Sequence, residues 1–178
     1  MYKWLVLFRG INVGGNNIVP MKQLVEVLNA AGCLHVSSYI QSGNVLLSHQ
    51  ESDKQTLSIQ IANLVEKNFG FTPKVMLLDI KEFNAAVSNN PFNDAEKEPK
   101  TLHFYFLGAA PENADIRGLE AVKKDNEAFK LIDKVFYLHA PDGIGRSKLA
   151  EKAEKLLAVP ATARNWNTVT KLLALSSG

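Results

Sequence analysis

Cysteine is nearly missing from this chain. Cys33 is the only one in 178 residues, so no intramolecular disulfide can form and no cage of thiolates can hold a metal. Long apolar runs are missing too. The first one extends only from Trp4 to Phe8 and is closed by Arg9. A signal peptide needs an apolar stretch of about 7–15 residues, and a membrane span needs about 18. The expectation is a cytoplasmic protein with no membrane partner. An excess of one charge is lacking as well: the net charge is +2, so no global field draws the chain to nucleic acid or to a lipid surface. The four histidines, His35, His49, His103 and His139, are scattered, with no two at ligand spacing on one helix. No metal site is expected, and no motif names a cofactor.

What remains is the composition of a folded globular chain, 46% hydrophobic and 21% charged. Residues 2–8 read as a buried strand, and Met21, Leu24, Leu28 and Ala31 recur at helical spacing behind Pro20. Residues 35–40 and 44–48 form a hairpin around Ser42 and Gly43. A second helix starts near Asp53 and stops at Gly70, and residues 73–78 return as a strand. This order, β-α-β-β-α-β, is that of a ferredoxin-like sandwich. Asp79 and Glu82 are spaced as a capping box for a further short helix.

Residues 90–100 are polar and twice interrupted by proline, and they read as a linker between an N-terminal subdomain, 1–89, and a C-terminal one, 101–178. The second half shows a strand at 102–106, a helix opened by Pro111, strands at 128–132 and 135–139, and helices from Ser147 to Leu157 and from Asn167 to Leu175. The predicted class is α+β, with two ferredoxin-like subdomains built on antiparallel sheets.

Four polar segments stand out. They are the run from Arg9 to Asn16, with Asn12, Gly14 and Gly15; Gln41, Ser42 and Asn44 around Gly43; Gly145, Arg146, Ser147 and Lys148; and Arg164, Asn165 and Asn167. They concentrate glycine, amide, hydroxyl and guanidinium groups at loops and helix starts, with few carboxylates. Successive backbone N–H groups around glycine make anion-binding concavities, helix N-termini add partial positive charge, and arginine grips carboxylate or phosphate with two parallel hydrogen bonds. The leading expectation is a binding protein for a phosphate- or carboxylate-bearing small molecule, with these segments meeting at one hollow.

An enzyme of transfer or hydrolysis type on such a ligand is the first alternative, although no nucleophile–base pair supports it. The second alternative is structural: tight turns explain the glycines and capping explains the asparagines. Nucleic acid is a minor reading. An RNA-recognition motif shares the strand–helix order, but its third strand needs exposed aromatics, and Gly43 to Ser48 has none.

The run Phe8-Arg-Gly-Ile-Asn-Val-Gly-Gly15, with Val19-Pro-Met21, Tyr39-Ile-Gln-Ser-Gly-Asn-Val45, Gly145-Arg-Ser-Lys-Leu149 and Arg164-Asn-Trp-Asn-Thr-Val169, resembles the bacterial "domain of unknown function 1697" family. The resemblance extends over nearly the whole chain. It implies an α+β fold of two ferredoxin-like subdomains and no established activity, substrate or cofactor.

Overall fold

A computed structural model describes residues 1–178. It divides into two compact units, Met1–Ala85 with Ala174–Gly178, and Ala86–Leu173. The first unit contains β1 (Tyr2–Arg9), α1 (Met21–Ala30), β2 (Leu34–Tyr39), β3 (Asn44–His49), α2 (Lys54–Phe69) and β4 (Lys74–Asp79), followed by the start of α3 (Ile80–Ser88). Its sheet is antiparallel in the order β2-β3-β1-β4, the ferredoxin-like arrangement. Trp4, Val6 and Phe8 of β1 alternate onto the face covered by the helices, where they pack with Leu24 and Leu28 of α1 and Leu57, Ile61 and Val65 of α2. The starts of α2 and α3 are fixed by side-chain caps. Asp53 accepts the amide of Thr56 at the start of α2, and Gly70 ends that helix at φ +85°. The capping box at α3 is reciprocal: Glu82 N–H donates to Asp79 Oδ1 at 2.8 Å and Asp79 N–H to Glu82 Oε2 at 3.0 Å.

The second unit repeats the plan with β5 (Leu102–Leu107), α4 (Ile116–Val122), β6 (Ala128–Ile132), β7 (Val135–His139), α5 (Lys148–Leu157) and β8 (Ala161–Asn165); α6 (Trp166–Ser176) follows. The sheet order is β6-β7-β5-β8. Tyr105, Leu107, Phe136 and Leu138 face α4 and α5 and pack on Leu119, Leu149, Ala153 and Leu157.

Three elements differ from the sequence expectation. Residues 161–165, for which the sequence pattern names no strand, are the edge strand β8, paired with β5 from Ala161 opposite Leu107 to Asn165 opposite His103. Their short alternation of alanine with threonine and arginine carries too little apolar signal to read as a strand. The helix expected to open at Pro111 starts at Ile116 instead, because the carboxylate that caps it is Asp115, which accepts the amide of Gly118 at 2.9 Å. Ahead of β5 and within the second unit, residues 93–97 and 99–101 wind into 3-10 turns, and Asn90 is buried, donating to Glu96 and accepting from the Phe92 amide.

The β2–β3 turn holds the tightest steric constraint in the first unit. Gly43 sits at φ +87°, and a Cβ there would lie 2.7 Å from Phe8 Cβ and 2.8 Å from Ile11 Cδ1. Its carbonyl accepts the amide of Phe8 at 2.8 Å. Gly43→Ala is expected to cost about 2–4 kcal/mol, combining a disallowed φ with overpacking; urea denaturation measures it. The exposed Gly32→Ala, also at positive φ (+95°) but with nothing within 4 Å, isolates the conformational part and should cost less.

Candidate functional site

In the first unit two of the four polar segments meet. Residues 13–16 form a two-residue hairpin turn, with Gly14 and Gly15 at φ +57° and +76° and the Asn16 amide donating to Val13 O at 2.9 Å. Positive φ at both central positions defines a type I′ turn, and it accounts for both glycines. Asn12 fastens this hairpin to its surroundings. Its Nδ2 donates to Val19 O at 3.0 Å and Gln41 O at 2.8 Å, while its Oδ1 accepts the Val19 amide at 2.7 Å. Asn44 does the same for the neighbouring turn. It is fully buried, and its Nδ2 donates to Tyr39 O and Ser42 Oγ, both at 3.0 Å. Arg9, at the end of β1, is half-buried, and Gln41 is exposed. Loops 9–17 and 41–44 therefore come together, held by amide side chains that satisfy backbone groups.

In the second unit the 143–148 segment is the turn that leads into α5. Gly143 adopts φ +89°, residues 144–146 make one 3-10 turn, and the buried Ser147 caps α5 by accepting the Ala150 amide at 3.0 Å. Arg146 and Lys148 flank that cap and are exposed. Gly145 differs from the other candidate glycines: its φ is not positive and a Cβ there would meet nothing within 4 Å. Neither turn geometry nor crowding requires a glycine at this position. Asp142, the nearest carboxylate before the turn, is directed elsewhere, accepting from Asn126 Nδ2 at 3.1 Å and lying 3.9 Å from Lys124 Nζ. Glu151 is the acidic residue of the first turn of α5.

The last segment splits between the two faces of its sheet. Asn165 lies opposite His103 on the side of α5 and caps α6, its Oδ1 accepting the Thr168 amide at 3.0 Å. Arg164 alternates to the other side, opposite Phe104. That face is aromatic: Phe104 packs edge-on against Tyr137, ring centres 4.7 Å apart, and in a tilted arrangement against Trp166 at 5.5 Å. Burial lowers the Arg164 guanidinium to about 10, still charged at neutral pH, and its Nη1 donates to Ala163 O at 2.8 Å. Asn167 is exposed at the start of α6. Strand alternation therefore puts Arg164 and Asn165 on opposite faces of the sheet.

His103 was not singled out by any sequence motif. It sits near the start of β5, two residues before Tyr105 and on the same face, at the strand end from which the chain leaves β7 for the turn into α5. It is 7% exposed, and its Nδ1 is buried with no hydrogen-bond partner. Burial lowers its pKa from 6.5 to about 4, so the imidazole is neutral at pH 7. The one signal available in the sequence was a histidine at an inward position of an otherwise apolar strand. No group of three His, Cys, Asp or Glu side chains is placed to hold a metal ion.

That depressed pKa makes stability fall with acid. Below 6.5 the unfolded chain takes up a proton that the folded imidazole refuses until about 4, so stability is present above this window and lost as pH falls through it. The loss attributable to His103 is about 3 kcal/mol. Urea titrations between these pH values should show His103→Gln with a shallower decline than the wild type. Asn44→Ala should lose about 1–3 kcal/mol in the absence of any ligand, the cost of orphaning buried backbone groups.

No helix is long and apolar enough to cross a membrane, and no curated protein matches the chain. Among solved structures it is similar to the conserved bacterial protein SP0830 from Streptococcus pneumoniae, at 25% identity over 98% of both chains with a TM-score of 0.69. A family model described as protein of unknown function (DUF1697) matches residues 1–137, taking in Met1–Ala85 of the first unit and the second unit into β7. The chain belongs to the DUF1697 family.

Proposed function

We propose that the protein binds a small phosphate- or carboxylate-bearing ligand at the turn leading into α5, with Arg146 and Lys148 supplying charge and the backbone at Gly145 approaching the anion. The observation that carries this reading is Gly145 itself. A glycine without positive φ and without a crowded Cβ direction costs conformational entropy for no structural return, and close approach of a ligand to the backbone is the remaining use for it. The two flanking cations are exposed, and the turn feeds a ten-residue helix whose free N–H groups favour negative charge. His103, neutral and with a nitrogen unpartnered, lies on the sheet face beneath α5. In the first unit, by contrast, the amides of Asn12 and Asn44 are engaged with backbone, which favours scaffold duty for those two motifs.

Gly145→Ala separates ligand binding from folding. At a position compatible with alanine the substitution stabilises by about 0.4–1 kcal/mol, so the variant should melt at or above the wild-type temperature. Inorganic phosphate, pyrophosphate and citrate are the probes. At about 100 times its dissociation constant a ligand adds about 2.7 kcal/mol, and the thermal shift this produces in the wild type should shrink in Gly145→Ala and vanish in Arg146→Ala/Lys148→Ala. Equal shifts in all three proteins, or none in the wild type, would remove the proposal.

A further inference from the structure

The first unit has an open cavity of about 290 Å3 that no polar motif of the sequence touches. It lies against β1, β2 and β3, with Leu175 and Gly178 from the end of the chain among its lining, and all of these residues belong to the first unit. Its size is near the lower end of small-molecule pockets. Its polar side chains are Lys3, His35, Ser37, Ser48 and Ser176, its apolar ones include Leu46, Ile80 and Leu175, and no Asp or Glu side chain lines it. Neither Lys3 nor His35 is paired with an acid.

The backbone at His35 is unusual. Leu34 pairs with Ser48 and Ser37 with Leu46, so two residues of β2, His35 and Val36, stand opposite Leu47 alone: a β-bulge. His35 holds φ +52° within it, a left-handed conformation that glycine adopts freely and that a side chain makes costly. Val36 packs on the helix-side core, while His35 lines the cavity. A bulge re-aims side chains, and this one delivers an imidazole to a hollow that is already lined by an unpaired ammonium and three serines. Glycine would fit the backbone better, and the histidine has no packing role that explains its presence.

We propose that this cavity is a second, independent binding site, for a small amphiphilic anion. Lys3 and His35 hold its carboxylate or phosphate, Ser37 and Ser48 donate to the same head, and Leu46, Ile80 and Leu175 cover its apolar body. Charge-assisted hydrogen bonds from an ammonium and an imidazole fix the head, and apolar contact selects against bare inorganic ions.

The probes are phenylacetate and phenyl phosphate, with benzyl alcohol as the neutral counterpart. Titration of each into the isotope-labelled full chain, followed by amide chemical shifts, should give saturable changes at Lys3, His35, Ser37 and Ser48 for at least one of the two anions, and the tighter one identifies the preferred head. Lys3→Met and His35→Gly should each weaken that binding about tenfold or more, while His35→Gly melts at or above the wild-type temperature because the strain at φ +52° is relieved. The proposal is overturned if neither anion shifts these amides at millimolar concentration, if benzyl alcohol binds as well as they do, or if either variant binds like the wild type. A fall in melting temperature for His35→Gly would overturn it as well, since the imidazole would then be holding the fold.

Discussion

Each polar loop of this protein is organised around one requirement: backbone N–H and C=O groups leaving the end of a sheet must find partners before they are covered. Asn12 meets it by bonding to Val19 on both its donor and its acceptor side and reaching across to Gln41 O. Asn44 meets it from a fully buried position, and Asn90, Asp115, Ser147 and Asn165 do the same at other turns and helix starts. These bonds bring the loops within reach of one another, and the absent side chain of Gly43 then lets the β2–β3 turn close on Phe8 and Ile11. The helices pack on the sheets in the ordinary way of a ferredoxin-like fold; the loops at the strand ends are held by these amides and hydroxyls.

The same requirement sorts the polar residues by what they have left to offer. An amide that donates twice and accepts once has spent most of its hydrogen-bonding capacity on the chain. Asn12 is in that position, and Asn44 spends both of its donors from a buried site. Arg146 and Lys148 are not, and neither are Lys3 and His35. Two kinds of departure from economical structure mark the places where the chain is free to act on something else: a glycine where alanine would be tolerated, at 145, and a histidine where glycine would be preferred, at 35. Each carries a conformational cost that packing does not explain, one in unfolded-state entropy and the other in native strain. The buried His103 adds a third kind, a desolvated nitrogen left without a partner.

Much of the architecture was legible in advance. The apolar spacing of Leu24 and Leu28, the cap at Asp53, the stop at Gly70 and the reciprocal pair Asp79 and Glu82 are local signals, each acting within a turn or two of chain, and each forms as its spacing indicates. β8 was not legible, because an edge strand of small and polar residues is specified by its neighbour β5 rather than by its own pattern. The start of α4 was displaced because Asp115 outcompetes Pro111 as the boundary signal: a capping hydrogen bond fixes a helix start, whereas proline only tolerates one.

The residues proposed to bind ligands divide along the same line. Local sequence determined that glycine, asparagine and arginine concentrate at four loops, that each loop adjoins a strand end or a helix start, and that the chain folds as α+β with antiparallel sheets, since these follow from spacing within one element. Tertiary structure alone decided that Arg164 leaves its strand on the side of Phe104 and Asn165 on the side of His103, because strand alternation is counted from a pairing register that only the partner strand sets. It alone decided that His35 occupies a bulge beside Lys3, a neighbour 32 residues away in the chain. A bulge is a mismatch between two strands, and no property of either strand by itself records it.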